Sequence, residues 1–473
     1  MGGICLVLAF GANLEQRTAL RREPMNDLGV FSCSSWAIWR GENLYNITDW
    51  RGWHYVYPPA LAILFVPFEH PPPEPLPALG PGDERTEANT PWGYGIPGHR
   101  FYGLRRQNAR FFCIVAIWYL LSVGFCLLAA HAVACVLERR KLGEGPPEDV
   151  KTRRRWWGLR LLPMLVCAGS IGTDLSRGQV DLLMLAALAV GIYLAANHMY
   201  GRSGLILSFP GCVKLIPALW ILYPLWSRKW RLTAGMAGGF MLFLVVLPVT
   251  FCGPKRAVEL YRTWVSVLVQ PGMGTGTDTS RRGELTGMNS TDNQSLLAAI
   301  HNWRYHDLPR GKRPREASAG ARRAAYAGGA LLLALLLASS WRRGGKSSPL
   351  HIILCISGYV AVWLVMSPVV HNYYYLLVLP LVTALLHESG PMEQGKRDWK
   401  LLGPVVGFMA IDLIVRLPSI GGWLRDLGAP LLSLLVLLVH GIVLLVKEGR
   451  IFEQGRRPVL GFGIDGETVD ARK

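Results

Sequence analysis

The chain has 473 residues, of which 51% are hydrophobic and only 17% are charged, and its net charge is +18. Apolar runs long enough to cross a bilayer recur from residue 111 onwards, which excludes an ordinary soluble domain and indicates a polytopic membrane protein. The lysines and arginines stand in short clusters between these runs, so the bilayer is the expected partner and nucleic acid is not. The nine cysteines include no CxxC pair, so neither a disulfide framework nor a cysteine metal site is expected.

The N-terminal part of the chain is predicted to lie mostly outside the bilayer. Residues 1–12 are interpreted as the end of a truncated first transmembrane helix, and residues 13–110 as an external loop that carries Asp27. The apolar segment 55–68 is too short to cross a bilayer and suits an interfacial helix. A Pro-rich insertion follows it at 70–100.

The segment 111–252 is predicted to be the first transmembrane module. Its first span, 111–137, is followed by the basic cluster 139–141, which the positive-inside rule assigns to the cytoplasm. The loop that carries Asp27 then lies on the external side of the membrane.

The apolar run 204–226 has basic residues at both ends, so the sequence predicts an even number of passes through the membrane. Pro210 and Gly211 are expected to break the helix near its middle and to form a short hairpin that lifts Lys214 toward the external side. An intramembrane lysine is a functional candidate. The alternative is one kinked helix whose lysine snorkels to the interface.

The remaining chain continues the same alternation. Residues 253–322 are predicted as a long external loop, 323–447 as C-terminal transmembrane helices and 448–473 as a cytoplasmic tail. The expected fold class is therefore an all-α polytopic membrane protein with about 11–12 transmembrane helices, including short and broken ones.

This topology brings several polar groups to the external ends of the helices. One carboxylate that faces several cations suits a reaction in which a hydroxyl attacks a sugar while a lipid phosphate departs. The carboxylate can take the hydroxyl proton, and the cations can stabilise the charge that grows on the phosphate. The groups are Asp27, Asp174 with Arg177 and Gln179, Lys214, Asn293 with Gln294, and His371.

The same residues form a pattern that resembles glycosyltransferase family 87. The motifs follow in the family's order over residues 27–385. They are Asp27, Gly41-x-x-x-Tyr45, Tyr57-Pro58-Pro59-Ala60, Arg177-Gly178-Gln179-Val180-Asp181, Lys214-Leu215-Ile216-Pro217, Asn293-Gln294-Ser295-Leu296, and Ser367-Pro368 with His371.

The resemblance implies the C-type glycosyltransferase fold and a multi-pass enzyme of the cell or inner membrane. It implies inverting transfer of a hexose, which we expect to be mannose, from a polyprenyl-phosphate sugar to a glycan or glycolipid acceptor on the non-cytoplasmic face. No metal or other cofactor is expected. By position in the motifs, Asp27 would be the general base. Lys214, His371 and Arg177 would contact the donor phosphate, and Gln179, Asp181, Asn293, Gln294 and Tyr57 would bind substrate.

Other roles are open for the acidic residues. Asp27 could instead cap the helix that follows it, and Asp49 in the same loop is a competing base. Asp174 and Asp181 flank the Arg-Gly-Gln turn and could serve instead, or could pair with Arg177.

Ordinary structural roles are also open for the later motif residues. His371 could be an interfacial histidine beside Tyr373–Tyr375, which we interpret as membrane anchors. Turn chemistry would explain Asn293 and Gln294 nearly as well. The alternative function is a transporter or flippase of a lipid-linked sugar; polar groups at one face only, with no cytoplasmic gate, favour the enzyme.

Overall fold

The computed structural model describes residues 9, 11–14, 27–49, 53–72, 106–214, 220–273, 287, 288, 290–341, 347–390, 398–417 and 420–453. Most of the predicted first helix, most of the Pro-rich insertion and the tail from residue 454 lie outside this part of the chain. In chain order its main helices are α1 (Leu28–Arg40), α2 (Pro59–Leu64), α3 (Arg106–Glu138), α4 (Val150–Val166), α5 (Ala168–Arg177), α6 (Asp181–Ala196), α7 (Tyr200–Val213), α8 (Leu222–Trp226), α9 (Trp230–Cys252), α10 (Pro254–Trp264), α11 (Leu296–Arg304), α12 (Ala319–Ser340), α13 (Pro349–Met366), α14 (Leu379–Glu388), α15 (Trp399–Ile414), α16 (Gly421–Asp426) and α17 (Ala429–Glu453).

The described residues confirm an all-α polytopic membrane protein. Five of the helices, α3, α9, α12, α13 and α17, are long and apolar enough to cross a membrane. A sixth span results if the bent pair α4 and α5 is counted as one, so the described residues contain fewer helices of spanning length than the 11–12 expected, a number that included short and broken helices. Helix α3 coincides with the predicted span 111–137, α9 lies in the predicted module 111–252, and α12, α13 and α17 lie largely in the predicted C-terminal region 323–447.

The central helix of the bundle is α13. It is apolar on every side, and residues 351–365 are all buried. A helix that is apolar on every side suits either lipid or a protein interior, and the burial of this one shows that it lies inside the bundle. Its neighbours include α3, α6, α12, α14 and α17.

Helices α7 and α9 pack closely through small residues. A Cβ atom on Gly204 or Gly235 would overlap backbone atoms of the facing helix, and one on Gly239 would overlap the Ser208 side chain. Small residues spaced in this way let two helix backbones approach without an intervening side chain, which favours association inside a bilayer. This contact fixes the position of α7, whose C-terminal end leads to Lys214.

The bend between α4 and α5 is 66°. Pro163 lies inside the last turn of α4 and cannot donate a backbone hydrogen bond, and α4 ends three residues later at Val166. After the bend, the Asp412 carboxylate accepts hydrogen bonds from the backbone N–H and the hydroxyl of Ser170, at 2.9 and 2.6 Å. Asp412 also pairs with Arg416, one helical turn later, at 2.9 Å.

The predicted helix break at Pro210 is wrong. Helix α7 runs through Pro210 and Gly211 and ends only at Lys214, whose backbone N–H still bonds to the Pro210 carbonyl at 3.0 Å. A proline removes its own N–H from the helix, but it leaves its carbonyl available to the residue four positions later. Lys214 therefore lies at the end of the helix, and residues 215–219 are outside the described part of the chain.

The helix expected over 55–68 is shorter than predicted. It begins at Pro59, a residue suited to the first helical position, and ends after six residues at Leu64. A short 3₁₀ helix, Val66–Phe68, follows and contains Pro67. Residues 59–63 are buried, and this segment packs against α1.

The region predicted as a long loop at 253–322 contains helices. Helix α10 starts it, and α11 lies close to its end. Basic residues between 310 and 323 depart from the positive-inside rule if this region is external. One of them, Arg313, is neutralised within the protein, where it forms two hydrogen bonds to Asp426 at 2.7 and 2.9 Å.

Three helix termini lie at the same end of the bundle. Helix α5 ends at Arg177, α6 begins at Asp181, and α7 ends beside Lys214. The basic cluster 139–141 follows the opposite end of the bundle, where α3 finishes. The polar motif residues therefore gather at one end, away from that cluster.

Candidate active site

Asp27 occupies the N-cap position of α1, but its side chain makes no capping hydrogen bond to that helix. The backbone N–H of Asp27 donates to the Arg177 carbonyl at 2.8 Å. The Asp27 Oδ2 atom instead accepts a short hydrogen bond from Nε2 of Gln179. The carboxylate is therefore oriented by the Arg177–Gln179 turn and not by its own helix.

The turn that holds Asp27 depends on Gly178. This residue has φ +63°, in the left-handed region that glycine adopts without strain, and it ends α5. The N–H groups of Gly178 and Gln179 bond back to the carbonyls of Leu175 and Asp174 at 3.2 Å each. This local geometry presents the Arg177 carbonyl and the Gln179 amide to the same side, where Asp27 lies.

Gln179 links Asp27 to the tyrosines that follow His371. Its Nε2 atom also donates to the Tyr373 hydroxyl at 3.1 Å. The Gln179 side chain is buried, and within the described residues its Oε1 atom has no hydrogen-bond partner. Tyr373 and Tyr374 are themselves buried, so their interpretation as membrane anchors is wrong. Aromatic residues at the end of an apolar run are typical of both situations.

Lys214 forms a buried ion pair with Asp181. The Nζ atom lies 2.6 Å from Asp181 Oδ1, and the two side chains are 7% and 0% exposed. The same ammonium group lies over the Tyr374 ring, 3.4 Å from its centroid. A lysine paired and stacked in this way is a fixed part of the wall, because separating either partner would leave a buried charge unbalanced.

His371 lies among the charged groups of the site, within electrostatic range of Arg177, Asp292, Asp27 and Lys214. Its backbone forms an isolated antiparallel bridge with Asn293, and its ring stacks on Tyr373 at 5.3 Å between centroids. Burial and the positive charge of Arg177 lower the pKa of His371 to about 4, against the opposing effect of Asp292 and Asp27. The imidazole is therefore neutral at physiological pH.

Arg177 points toward a second acidic residue, Asp292. Arg177 Nη2 lies 3.3 Å from Asp292 Oδ2, and Arg425 Nη1 lies 2.8 Å from Asp292 Oδ1. Sequence reasoning missed both of these partners. Asp292 directly precedes the Asn293 motif and could have been noticed there, whereas no spacing signal marks Arg425.

Asn293 and Gln294 fix the backbone before His371. The Asn293 amide donates to the Pro368 carbonyl at 3.2 Å and accepts from the Val370 N–H at 3.1 Å. The Gln294 amide donates to the carbonyls of Thr291 and Arg425, and its buried Oε1 has no partner among the described residues. Their predicted contact with substrate stays a prediction.

Tyr57 belongs to the same cluster, and Asp49 does not. The Tyr57 ring lies 6.0 Å from the Lys214 ammonium group, and burial raises the pKa of the Tyr57 hydroxyl well above its ordinary value. Asp49 instead accepts a hydrogen bond from the Trp53 N–H at 2.9 Å and closes a local turn. The structure therefore gives Asp49, the competing base, a structural task.

The predicted site residues come together around one centre. Asp174 also lies here, fully buried near Asp181. No group of three or more His, Cys, Asp or Glu residues in the described part of the chain is arranged to hold a metal ion. That the reaction needs no metal stays a prediction.

Comparison with known proteins identifies the family. The model of glycosyltransferase family 87 matches residues 106–368, which is more than half of the chain. The match includes Arg177, Gln179, Asp181 and Lys214 and stops just before His371. No curated protein matches the chain. On the strength of this match, the protein belongs to glycosyltransferase family 87 and is a multi-pass membrane glycosyltransferase.

Proposed function

We propose that the protein transfers a hexose, mannose in the first instance, from a polyprenyl-phosphate sugar to a hydroxyl of a glycan or glycolipid. The transfer inverts the anomeric carbon and takes place on the non-cytoplasmic face. One observation supports this most directly: the Asp27 side chain does not cap its helix and is held by Gln179, in the turn that also carries Arg177. A carboxylate in this arrangement suits a general base.

In the proposed reaction the acceptor hydroxyl attacks the anomeric carbon of the sugar while Asp27 takes its proton. A bond forms between the acceptor oxygen and that carbon, and the bond from the carbon to the phosphate oxygen breaks. The electron pair of the broken bond leaves with the polyprenyl phosphate. A single displacement of this kind inverts the configuration of the sugar.

Arg177 and His371 are the groups we propose for the departing phosphate. The Arg177 guanidinium is 31% exposed, so an anion can reach it, and it lies over the Tyr373 ring at 5.3 Å. A guanidinium matches phosphate geometry well. His371, being neutral, contributes one hydrogen bond and no charge. Lys214, expected here as well, acts by holding Asp181 and the tyrosine wall in place.

The basic cluster at the opposite end of the bundle supports the external position of the site, since such clusters face the cytoplasm. The C-terminus is then cytoplasmic. The acceptor and the polyprenyl carrier would both reach the site from the outer leaflet.

The test uses purified protein in nanodiscs, labelled polyprenyl-phosphate-mannose and a glycolipid extract from the source membranes. The wild type should form a new glycosidic linkage. The substitution Asp27→Asn should lower the rate about 100- to 10,000-fold without changing the unfolding temperature. Asp49→Asn is the matched control and should retain activity. If label crossed the bilayer of proteoliposomes without bond formation, the protein would be a transporter and the proposal would be wrong.

A further inference from the structure

Asp292 is a single carboxylate shared by two arginines from distant parts of the chain. Each of its oxygens faces one guanidinium group, Oδ2 that of Arg177 and Oδ1 that of Arg425. Arg177 ends α5, and Arg425 lies in α16, beyond the segment matched by the family model. The two guanidinium groups therefore converge on one anion from opposite sides.

This group of three is accessible, in contrast to the neighbouring ion pair. The side chains of Arg177, Asp292 and Arg425 are 31%, 32% and 27% exposed, whereas Lys214 and Asp181 are enclosed. An anion from outside can therefore compete for the arginines without opening the core. Partly exposed pairs contribute little to stability, so exchanging the carboxylate for another anion is not costly.

The chemistry of two arginines suits phosphate better than carboxylate. A phosphate group offers three acceptor oxygens and up to two negative charges, and guanidinium groups bind it through paired hydrogen bonds. Arg416 adds positive charge close to both Arg425 and Asp292. Without Asp292, the arginines would present an unbalanced positive surface beside His371.

The carboxylate of Asp292 can leave without moving its backbone. The Asp292 N–H bonds to the Ser290 hydroxyl at 3.2 Å, and the next residue, Asn293, is anchored to Pro368 and Val370. Only rotation of the side chain is then needed to release both arginines.

We infer that Arg177, Asp292 and Arg425 form a phosphate-exchange site, in which the Asp292 carboxylate occupies the place of a lipid-linked phosphate and gives way to it. This inference rests on the proposed function, since it names where the phosphate of the sugar carrier binds. It adds Arg425 as a binding residue and Asp292 as a built-in competitor. Asp292 then sets how tightly the spent carrier is held and therefore how readily it leaves.

Binding of polyprenyl phosphate to the full-length protein in phosphatidylcholine nanodiscs tests the site. Asp292→Asn should tighten binding roughly tenfold, because a site occupied by its own carboxylate for most of the time has a correspondingly weaker apparent affinity. Arg425→Gln should weaken binding about tenfold or more, since it removes a charge-assisted hydrogen bond. Arg425→Lys keeps the positive charge but loses the paired hydrogen-bond donors of the guanidinium, so it should weaken binding by an intermediate amount.

The controls change charge on the same side of the protein without touching the site. Asp307 is 83% exposed, and Arg315 is exposed. Asp307→Asn and Arg315→Gln should leave binding unchanged. This result would distinguish direct contacts at the site from a change in the overall charge of the protein. Carrier binding is measured without an acceptor and needs no sugar transfer, so a failure of the sugar-transfer proposal is distinguishable from a failure of this one.

A second arm identifies the source of the phosphate. Nanodiscs that contain phosphatidylglycerol, without polyprenyl phosphate, report whether a bilayer headgroup occupies the site. A response to Asp292→Asn and Arg425→Gln in either arm supports the site and names its ligand. Two results overturn the inference: no response in both arms, or weakening of binding by Asp292→Asn as large as that by Arg425→Gln.

Discussion

The side-chain amide of Gln179 donates a hydrogen bond to the carboxylate of Asp27, although 152 positions separate the two residues in the chain. This contact joins the N-terminal loop to the family-matched bundle. It also orients the carboxylate of Asp27, since that side chain makes no capping hydrogen bond to the helix that follows it. Gln179 is therefore a positioning residue for the proposed reaction.

Removing this contact should slow the chemical step more than it weakens substrate binding. We expect Gln179→Ala to lower kcat about 100-fold, because misplacing a catalytic group by about 1 Å has an effect of that size. Gln179→Asn keeps the amide but shortens its reach and should be equally slow. Kinetics with labelled donor separate kcat from KM, and Asn197→Ala, at an exposed position, is the control. A changed KM with normal kcat would contradict the positioning role.

The buried pair of Lys214 and Asp181 should behave as a unit in unfolding measurements. Lys214→Met or Asp181→Asn alone should lower the free energy of unfolding by about 3–5 kcal/mol, because each leaves a buried charge without its partner. The double variant should recover most of that loss. Glu144→Gln breaks an exposed pair with Arg140 and should change stability by less than about 1 kcal/mol. A double variant as unstable as the single ones would show that the pair is not the cause.

His371 should make the folded state less stable in acid. Its pKa is about 4 in the folded protein, against 6.5 for an ordinary histidine, so below pH 6.5 the unfolded chain takes up a proton that the folded chain does not. This contribution to stability is complete above pH 6.5 and is lost as the pH falls toward 4. His371→Gln should therefore reduce the difference in unfolding midpoint between pH 7.5 and pH 4.5.

The matched control for that measurement is His306→Gln, because the His306 side chain is 70% exposed. It should leave the acid dependence of the wild type intact. An acid dependence that is the same in His371→Gln and the wild type would mean that His371 titrates normally. The pH profile of the sugar-transfer rate should show no ionisation step from His371 between pH 5 and 7.

Two glycines of α9 should respond to the same substitution with opposite sign. Gly235→Ala places a methyl group against the backbone of Gly201, and overpacking of this kind destabilises by about 1–3 kcal/mol. Gly238→Ala meets no atom within 4 Å and should be neutral or stabilising by up to about 1 kcal/mol, since alanine is the better helix former. Thermal unfolding in detergent compares the two. Equal effects would mean that the close contact between α7 and α9 does not form.

The sequence predicts the spans well because long apolar runs have one physical solution in a bilayer. The five long helices lie where hydropathy places them. Local features were harder: Pro210 looked like a break, yet the helix around it persists to Lys214. A proline disturbs only the bonds nearest to it, so packing of the surrounding apolar residues decides the outcome.

The candidate site shows a similar division. Asp27, Gln179 and His371 could be expected near one another because a recognisable motif surrounds each of them. Arg425 could not, because it lies on a six-residue helix with no distinctive spacing, and only the fold brings it to Asp292. The tyrosines after His371 were misjudged because sequence alone does not tell a buried aromatic residue from an interfacial one.

Ser170 and Asp412 tie the functional turn to a part of the chain that the family match does not include. Near the start of α5 (Ala168–Arg177), Ser170 donates two hydrogen bonds to the carboxylate of Asp412, which lies in α15. The segment that matches the family is therefore shorter than the segment needed to hold the turn in place. A fragment limited to residues 106–368 would contain the Arg-Gly-Gln motif but would lack Asp412, which anchors the start of α5.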